Sequence, residues 1–125
     1  MRLSGFNIYT YDLPLTNPIS VSGHTLNSRK GIIIRLTSEE GKEGFGETAP
    51  LPYRSEESIL ESIAQLKGLQ GKFSRVVLPE HMEKLDGTFS KWLDIYKLSP
   101  SVRFGFETAV LHLIADTKNK QLNHL

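Results

Sequence analysis

The stretch "GFGETAPLP", residues 44–52, runs straight into "YRSEES" at residues 53–58. Gly44 and Gly46 flank Phe45 in what reads as a β-strand. Glycine inside a strand marks a close approach by another backbone or side chain. Pro50 and Pro52 then bracket Leu51, which stiffens the loop that follows. Ser55 is placed to cap a helix, with Glu56 and Glu57 in its first turn, where the helix dipole favours acids. The order strand, rigid loop, helix says that a shape is being held here against something else.

Upstream, "KGIIIRL" (30–36) alternates with a period of two. It puts Ile32, Ile34 and Leu36 on one face and Ile33 and Arg35 on the other. The polar run "TSEEGKEG" joins it to the glycine strand as a hairpin turn, with Gly41 supplying a positive φ. Earlier still, "LSGFNIYTYDLPL" is rich in β-formers, with Phe6 and Ile8 on one face and Tyr9, Tyr11 and Leu13 on the other. Pro14 is expected to end that strand. The three segments read as a three-stranded antiparallel meander. Between the first two lies "PLTNPISVSGHTLNS", residues 14–28, expected to be a long loop of the kind that lids and binding sites use.

Downstream the pattern turns helical. Ile59, Ile63 and Leu66, with Leu60 and Ala64 beside them, form an apolar face, and Gly68 and Gly71 close that helix. Met82, Leu85, Phe89, Trp92, Leu93 and Tyr96 keep helical period, split by Gly87 into two helices, with Pro79 at a first-turn position. Ser99 caps the last helix and Pro100 opens it, so that Val102, Phe106, Ala109, Val110 and Leu113 face the core. Strands first and helices afterwards define an α+β domain, with three to four helices on one sheet face. The first strand is apolar or aromatic on both faces, so some cover over its outer side is expected.

Composition sets the boundaries of function. The 125 residues are 38% hydrophobic and 23% charged, which fits one domain with a modest core. Net charge is +1, from 15 basic and 14 acidic residues spread along the chain. No basic stripe points to nucleic acid or an anionic membrane. With no cysteine there is no disulfide, thiolate metal site or cysteine nucleophile. A cytoplasmic domain is expected, since neither a signal-like h-region nor a long apolar run is present.

Candidate chemistry is thin. His24, His81, His112 and His124 show no metal-binding spacing, and His112 reads as a boundary histidine. His24 is either a polar loop residue or a substrate contact. Glu47, at the end of the glycine strand, reads as a buried, hydrogen-bonded carboxylate holding the loop, ahead of a catalytic one. The "GFG" run lacks the third glycine and the βαβ setting of a nucleotide site, and no GxSxG elbow is present. Binding features are visible; a catalytic constellation is not.

The motifs in this order resemble the N-terminal capping domain of the enolase superfamily, and within it the o-succinylbenzoate synthase family of menaquinone biosynthesis. "YDLPLTNPI", "SRKGIIIRL", "GFGETAPLPYRSEES" and "PSVRFGFETAVLHL" carry the likeness, which spans essentially the whole chain. The Ala-Pro-Leu-Pro and Ser-Val-Arg-Phe-Gly runs are its specific part. The resemblance implies that residues 1–125 form a lid over a (β/α)-barrel. Two stretches would meet a small carboxylate substrate, at residues 21–29 and 50–54. The residues so implicated are Ser22, Gly23, His24, Leu26, Arg29, Leu51, Pro52, Tyr53 and Arg54.

It further implies Mg²⁺-dependent dehydration by proton abstraction beside a carboxylate, with the metal ligands and the acid–base lysines on a barrel domain that this chain lacks. No catalytic residue or metal ligand carries over, and the chain alone is expected to be inactive. The family often has Gly-Phe-Ser where this chain has Tyr53-Arg54-Ser55; the Arg54 guanidinium either pairs with a substrate carboxylate or points outward. N-succinylamino acid racemases and related cycloisomerases share this cap. A stand-alone module binding a partner through the barrel-facing surface is the rival outside enzymology.

Overall fold

The computed structural model describes residues 2–52, 58–72, 78 and 87–118. Its elements are β1 (Leu3–Val21), β2 (His24–Ser38), β3 (Glu43–Thr48), α1 (Ile59–Gly71), α2 (Thr88–Asp94) and α3 (Pro100–Thr117). The strands form one antiparallel sheet in the order β1-β2-β3, and the helices follow, as an α+β domain requires. Alternation along the strands works as read. Phe6, Ile32, Ile34 and Leu36 are buried on the helix side, while Tyr9, Leu13 and Phe45 are exposed on the other. The readings placed on Pro79, His81, Met82, Leu85 and His124 lie outside the described residues. Among those described, no helix is long and apolar enough to cross a membrane.

The expected loop at residues 14–28 is instead a hairpin. Ser22 (φ 48°) and Gly23 (φ 80°) both take positive φ, as a two-residue primed turn requires. Pro14 does not end β1 but pairs with Ser28. Residues 15–18 then bulge out opposite Asn27, and pairing resumes at Ile19 with Leu26. Proline lacks an N–H, and an edge strand with a bulge is where that loss is tolerated. β2 pairs with β3 only from Thr37–Glu43 to Ile32–Thr48. Beyond Ile32, β1 and β2 therefore continue as a two-stranded ribbon. The chain leaves β3 at Thr48, beside the root of that ribbon.

The glycines of β3 exist for α3. A Cβ on Gly46 would stand 1.9 Å from the Gly105 carbonyl oxygen, and one on Gly44 would stand 2.1 Å from that of Ala109. On the helix, a Cβ on Gly105 would meet Thr48 Oγ1 at 2.3 Å. Strand and helix thus touch backbone to backbone, antiparallel. The Phe45 N–H donates to His112 Nδ1 (3.0 Å) and the Glu43 N–H to Asp116 Oδ2 (2.9 Å), which satisfies edge donors of β3. His112 is the boundary histidine the sequence indicated, with a defined task.

α1 begins later than expected. Its cap is Ser58, whose Oγ accepts from the Glu61 N–H at 3.1 Å. Ser58 and Glu61 have the S-x-x-E spacing of a capping box, a better start signal than Ser55; Ser55, Glu56 and Glu57 lie outside the described residues. The buried positions of α1 are Ser62, Leu66 and Leu69, with Ile59 and Ile63 packed beside them, whereas Leu60 is exposed. Gly87 (φ 85°) opens α2, consistent with its reading as a breaker. Phe106 of α3 centres the core, stacked on Phe6 at 5.9 Å and on Trp92 at 5.8 Å.

Candidate functional site

The two stretches implicated by the sequence emerge from the same end of the sheet, because β3 ends where the ribbon begins. α3 runs antiparallel to β3, so its first turn arrives there too, and Thr48 Oγ1 donates to the Ser101 carbonyl at 3.1 Å. Arg29 closes the arrangement. It lies in the ribbon, paired with Leu13, and its Nη2 donates to the Ala49 carbonyl at 3.1 Å. Around this bond is a surface concavity of about 450 Å³ lined by Arg29, Glu47, Ala49, Pro100, Ser101 and Phe104. Its wall mixes a cation, a carboxylate and an exposed aromatic ring, a combination suited to a small polar ligand with an apolar part.

On the outer face of the sheet Tyr11 lies flat over Gly31, its cross-strand partner. A Cβ on Gly31 would meet the phenol oxygen at 2.2 Å. From there the hydroxyl donates to Glu47 Oε2 at 3.0 Å. Burial pushes the Tyr11 hydroxyl above its usual 10.0, and the hydrogen bond to Glu47 and the charge of that carboxylate add to the rise; the positive charge of Arg29 opposes it. Glu47 corrects one expectation. It is hydrogen-bonded, but it is exposed and receives Tyr11 rather than holding the loop. The strand end is an edge open to water on its outer face, and Arg29 has taken the loop instead.

Of the implicated residues, Arg29 is brought to residues 49–52, where Leu51 is half-buried and Pro52 exposed. Ser22, Gly23 and His24 sit at the ribbon tip, and half-buried Leu26 pairs with Ile19. At about 3.3 Å per residue, the tip is roughly 20 Å along the ribbon from Arg29. The structure therefore gathers Arg29 with the loop and leaves the tip residues apart from it. Tyr53 and Arg54 lie outside the described residues. Pro100, Ser101 and Phe104 were missed as lining residues, because only the antiparallel course of α3 along β3 brings them here. Among the described residues no group of three or more His, Cys, Asp or Glu side chains could hold a metal ion. This donor set does not fit Mg²⁺.

Comparison with known proteins agrees with the fold and narrows it. The model of the MenC N-terminal domain family matches residues 3–113. The o-succinylbenzoate synthase of Thermosynechococcus vestitus is 32% identical over 99 residues, covering 79% of this chain and 26% of its own length. That of Haemophilus influenzae is 29% identical over 110 residues, covering 88% and 30%. Among solved structures, a Mg-complexed o-succinylbenzoate synthase from Thermosynechococcus elongatus superposes with TM-score 0.60 at 28% identity, over 89% of this chain and 29% of that one. An enolase-superfamily member from Listeria innocua superposes with TM-score 0.75 at 27% identity, over 99% and 33%. The chain thus spans about a quarter to a third of the length of these relatives. It belongs to the MenC N-terminal domain family of the enolase superfamily.

Proposed function

We propose that this chain is the substrate lid of an o-succinylbenzoate synthase-like lyase, working over the mouth of a (β/α)-barrel domain. A barrel takes roughly 200–250 residues, which accords with relatives three to four times as long as the matched part. In this reading Mg²⁺ and the acid–base residues belong to the barrel, the metal stabilising the charge that develops beside the substrate carboxylate. The lid binds, orients and excludes water. It has no activity alone.

The observation that carries the reading is the bond from Arg29 to Ala49, which ties the ribbon and the rigid loop together beside one concavity. Two segments distant in sequence are held at one end of the sheet, leaving the Glu47 carboxylate and the exposed Phe104 ring to face a ligand beside the Arg29 brace. Racemase-type caps share the fold: a dipeptide epimerase from Methylococcus capsulatus superposes with TM-score 0.75, but at 19% identity that likeness concerns the fold alone.

The test is to assay the chain alone, a barrel domain alone, and the two joined, for Mg²⁺-dependent dehydration and for racemisation of N-succinylamino acids. Dehydration that appears only in the joined protein supports the lid reading. Equal dehydration by the barrel without the lid overturns it, and racemisation without dehydration shifts the assignment to the racemases.

A further inference from the structure

Arg29 is placed in a way that protein stability alone does not reward. Its Nη2 is committed to the Ala49 carbonyl, while its Nη1 is buried with no hydrogen-bond partner among the described residues. An unpartnered buried donor on a charged group is costly. The side chain nevertheless stays turned inward from the ribbon to the loop. Its target is just as specific. Ala49 lies between Thr48, whose hydroxyl is pinned to the first turn of α3, and Pro50, which is buried. The carbonyl that Arg29 grips is thus the point where the ribbon can fix the exit direction of the loop. Residues 51 and 52 follow from that point with little freedom, since Pro50 and Pro52 restrict the backbone around Leu51.

We infer that Arg29 is a positioning residue which makes the ribbon and the loop after β3 move as one body. It acts through the Ala49 carbonyl and not by touching substrate, in contrast to the contact that the family resemblance implied. The inference rests on the lid reading for its functional meaning, but its structural content stands without it. A guanidinium suits the task better than an ammonium, because its planar fork keeps one nitrogen on the carbonyl while the rest of the group packs.

The test uses the 125-residue chain without barrel or substrate. NMR spectra of Arg29→Ala and Arg29→Lys are compared with wild type. For Arg29→Ala the expected result is a shift of the Ala49 carbonyl carbon towards its unbonded value. The heteronuclear NOE should drop at Ala49 and Leu51, while the signals of Ile34, Phe106 and Leu113 stay in place. Arg29→Lys, which keeps the charge and the aliphatic stem, is expected to show the same local pattern in weaker form, and it decides the matter if the alanine variant fails to fold. Unchanged signals at Ala49 and Leu51, or changes spread evenly into the core, overturn the inference.

A second arm joins the variant to its barrel domain. Loss of positioning lowers kcat by roughly tenfold to a hundredfold with KM nearly unchanged. A rise in KM at constant kcat would mean direct contact with substrate and would also overturn the inference. If the joined wild-type protein has no activity, the lid reading fails while the NMR arm still decides the brace.

Discussion

Replacing Gly46 by alanine drives a methyl group into the seam between β3 and α3. The new Cβ would stand 1.9 Å from the Gly105 carbonyl oxygen and 3.0 Å from the Ala109 nitrogen, where ordinary contact begins at 3.4 Å. Both atoms are backbone, so no rotamer change relieves the clash, and α3 must retreat by about 1.5 Å in a close-packed interior. Overpacking of this kind costs about 1–3 kcal/mol. A retreat of that size also breaks the three bonds across the seam, from Thr48 to Ser101, Phe45 to His112 and Glu43 to Asp116. Each is worth about 1 kcal/mol.

Against this, alanine recovers roughly 0.5–1 kcal/mol of backbone entropy. The net loss is about 3–5 kcal/mol, a large share of the ~5–15 kcal/mol that holds a domain of this size. Urea unfolding followed by circular dichroism should show a lower midpoint at unchanged slope. Gly68→Ala is the control: the same chemical change within α1, where an added Cβ meets nothing within 4 Å. There the helix should gain about 0.5–1 kcal/mol. A Gly46→Ala protein within about 0.5 kcal/mol of wild type would refute the reasoning, since that is the range of an ordinary surface change.

Two further outcomes are expected. The fold favours the protonated Tyr11 phenol, so its contribution is fully present below pH 10.0 and is lost as the pH rises through the elevated folded value. Alkaline urea titrations of Tyr11→Phe should therefore show a shallower loss of stability than wild type. Part of the loss will remain, because burial raises Tyr96 as well; an identical slope in the two proteins would contradict the Tyr11 environment. Ser58→Ala removes the cap of α1 and should cost about 1 kcal/mol, whereas Ser58→Asp, read in the same unfolding assay, should leave stability nearly unchanged.

The sheet and the last helix were legible because period and punctuation agreed. Ile32, Ile34 and Leu36 alternate without interruption, and Ser99-Pro100 starts α3 where its apolar face begins. The glycines of "GFGET" announced a close neighbour, although only the register revealed that the neighbour is the backbone at Gly105. The ribbon was illegible for an equally physical reason. Both of its faces are largely exposed, so no hydrophobic alternation remains to mark a strand, and two prolines argue against one. Glu47 was misjudged because a glycine-flanked strand end looks enclosed, while its outer face is open. The brace from Arg29 needs a contact across 20 residues of sequence, which no local pattern records.

The bonds from Phe45 to His112 and from Glu43 to Asp116 also have a bearing on solubility. A short sheet with a free outer strand is a template onto which a second chain can add, and strand addition is a common route to aggregates. Here β3 offers an incoming strand donors that are already engaged by side chains of α3, and the same helix stands in the way. A protein that lost His112 and Asp116 together would leave those two N–H groups of β3 without their partners, with only the bulk of the helix to keep a second strand away. Its failure would then show first as concentration-dependent precipitation, before any loss of fold.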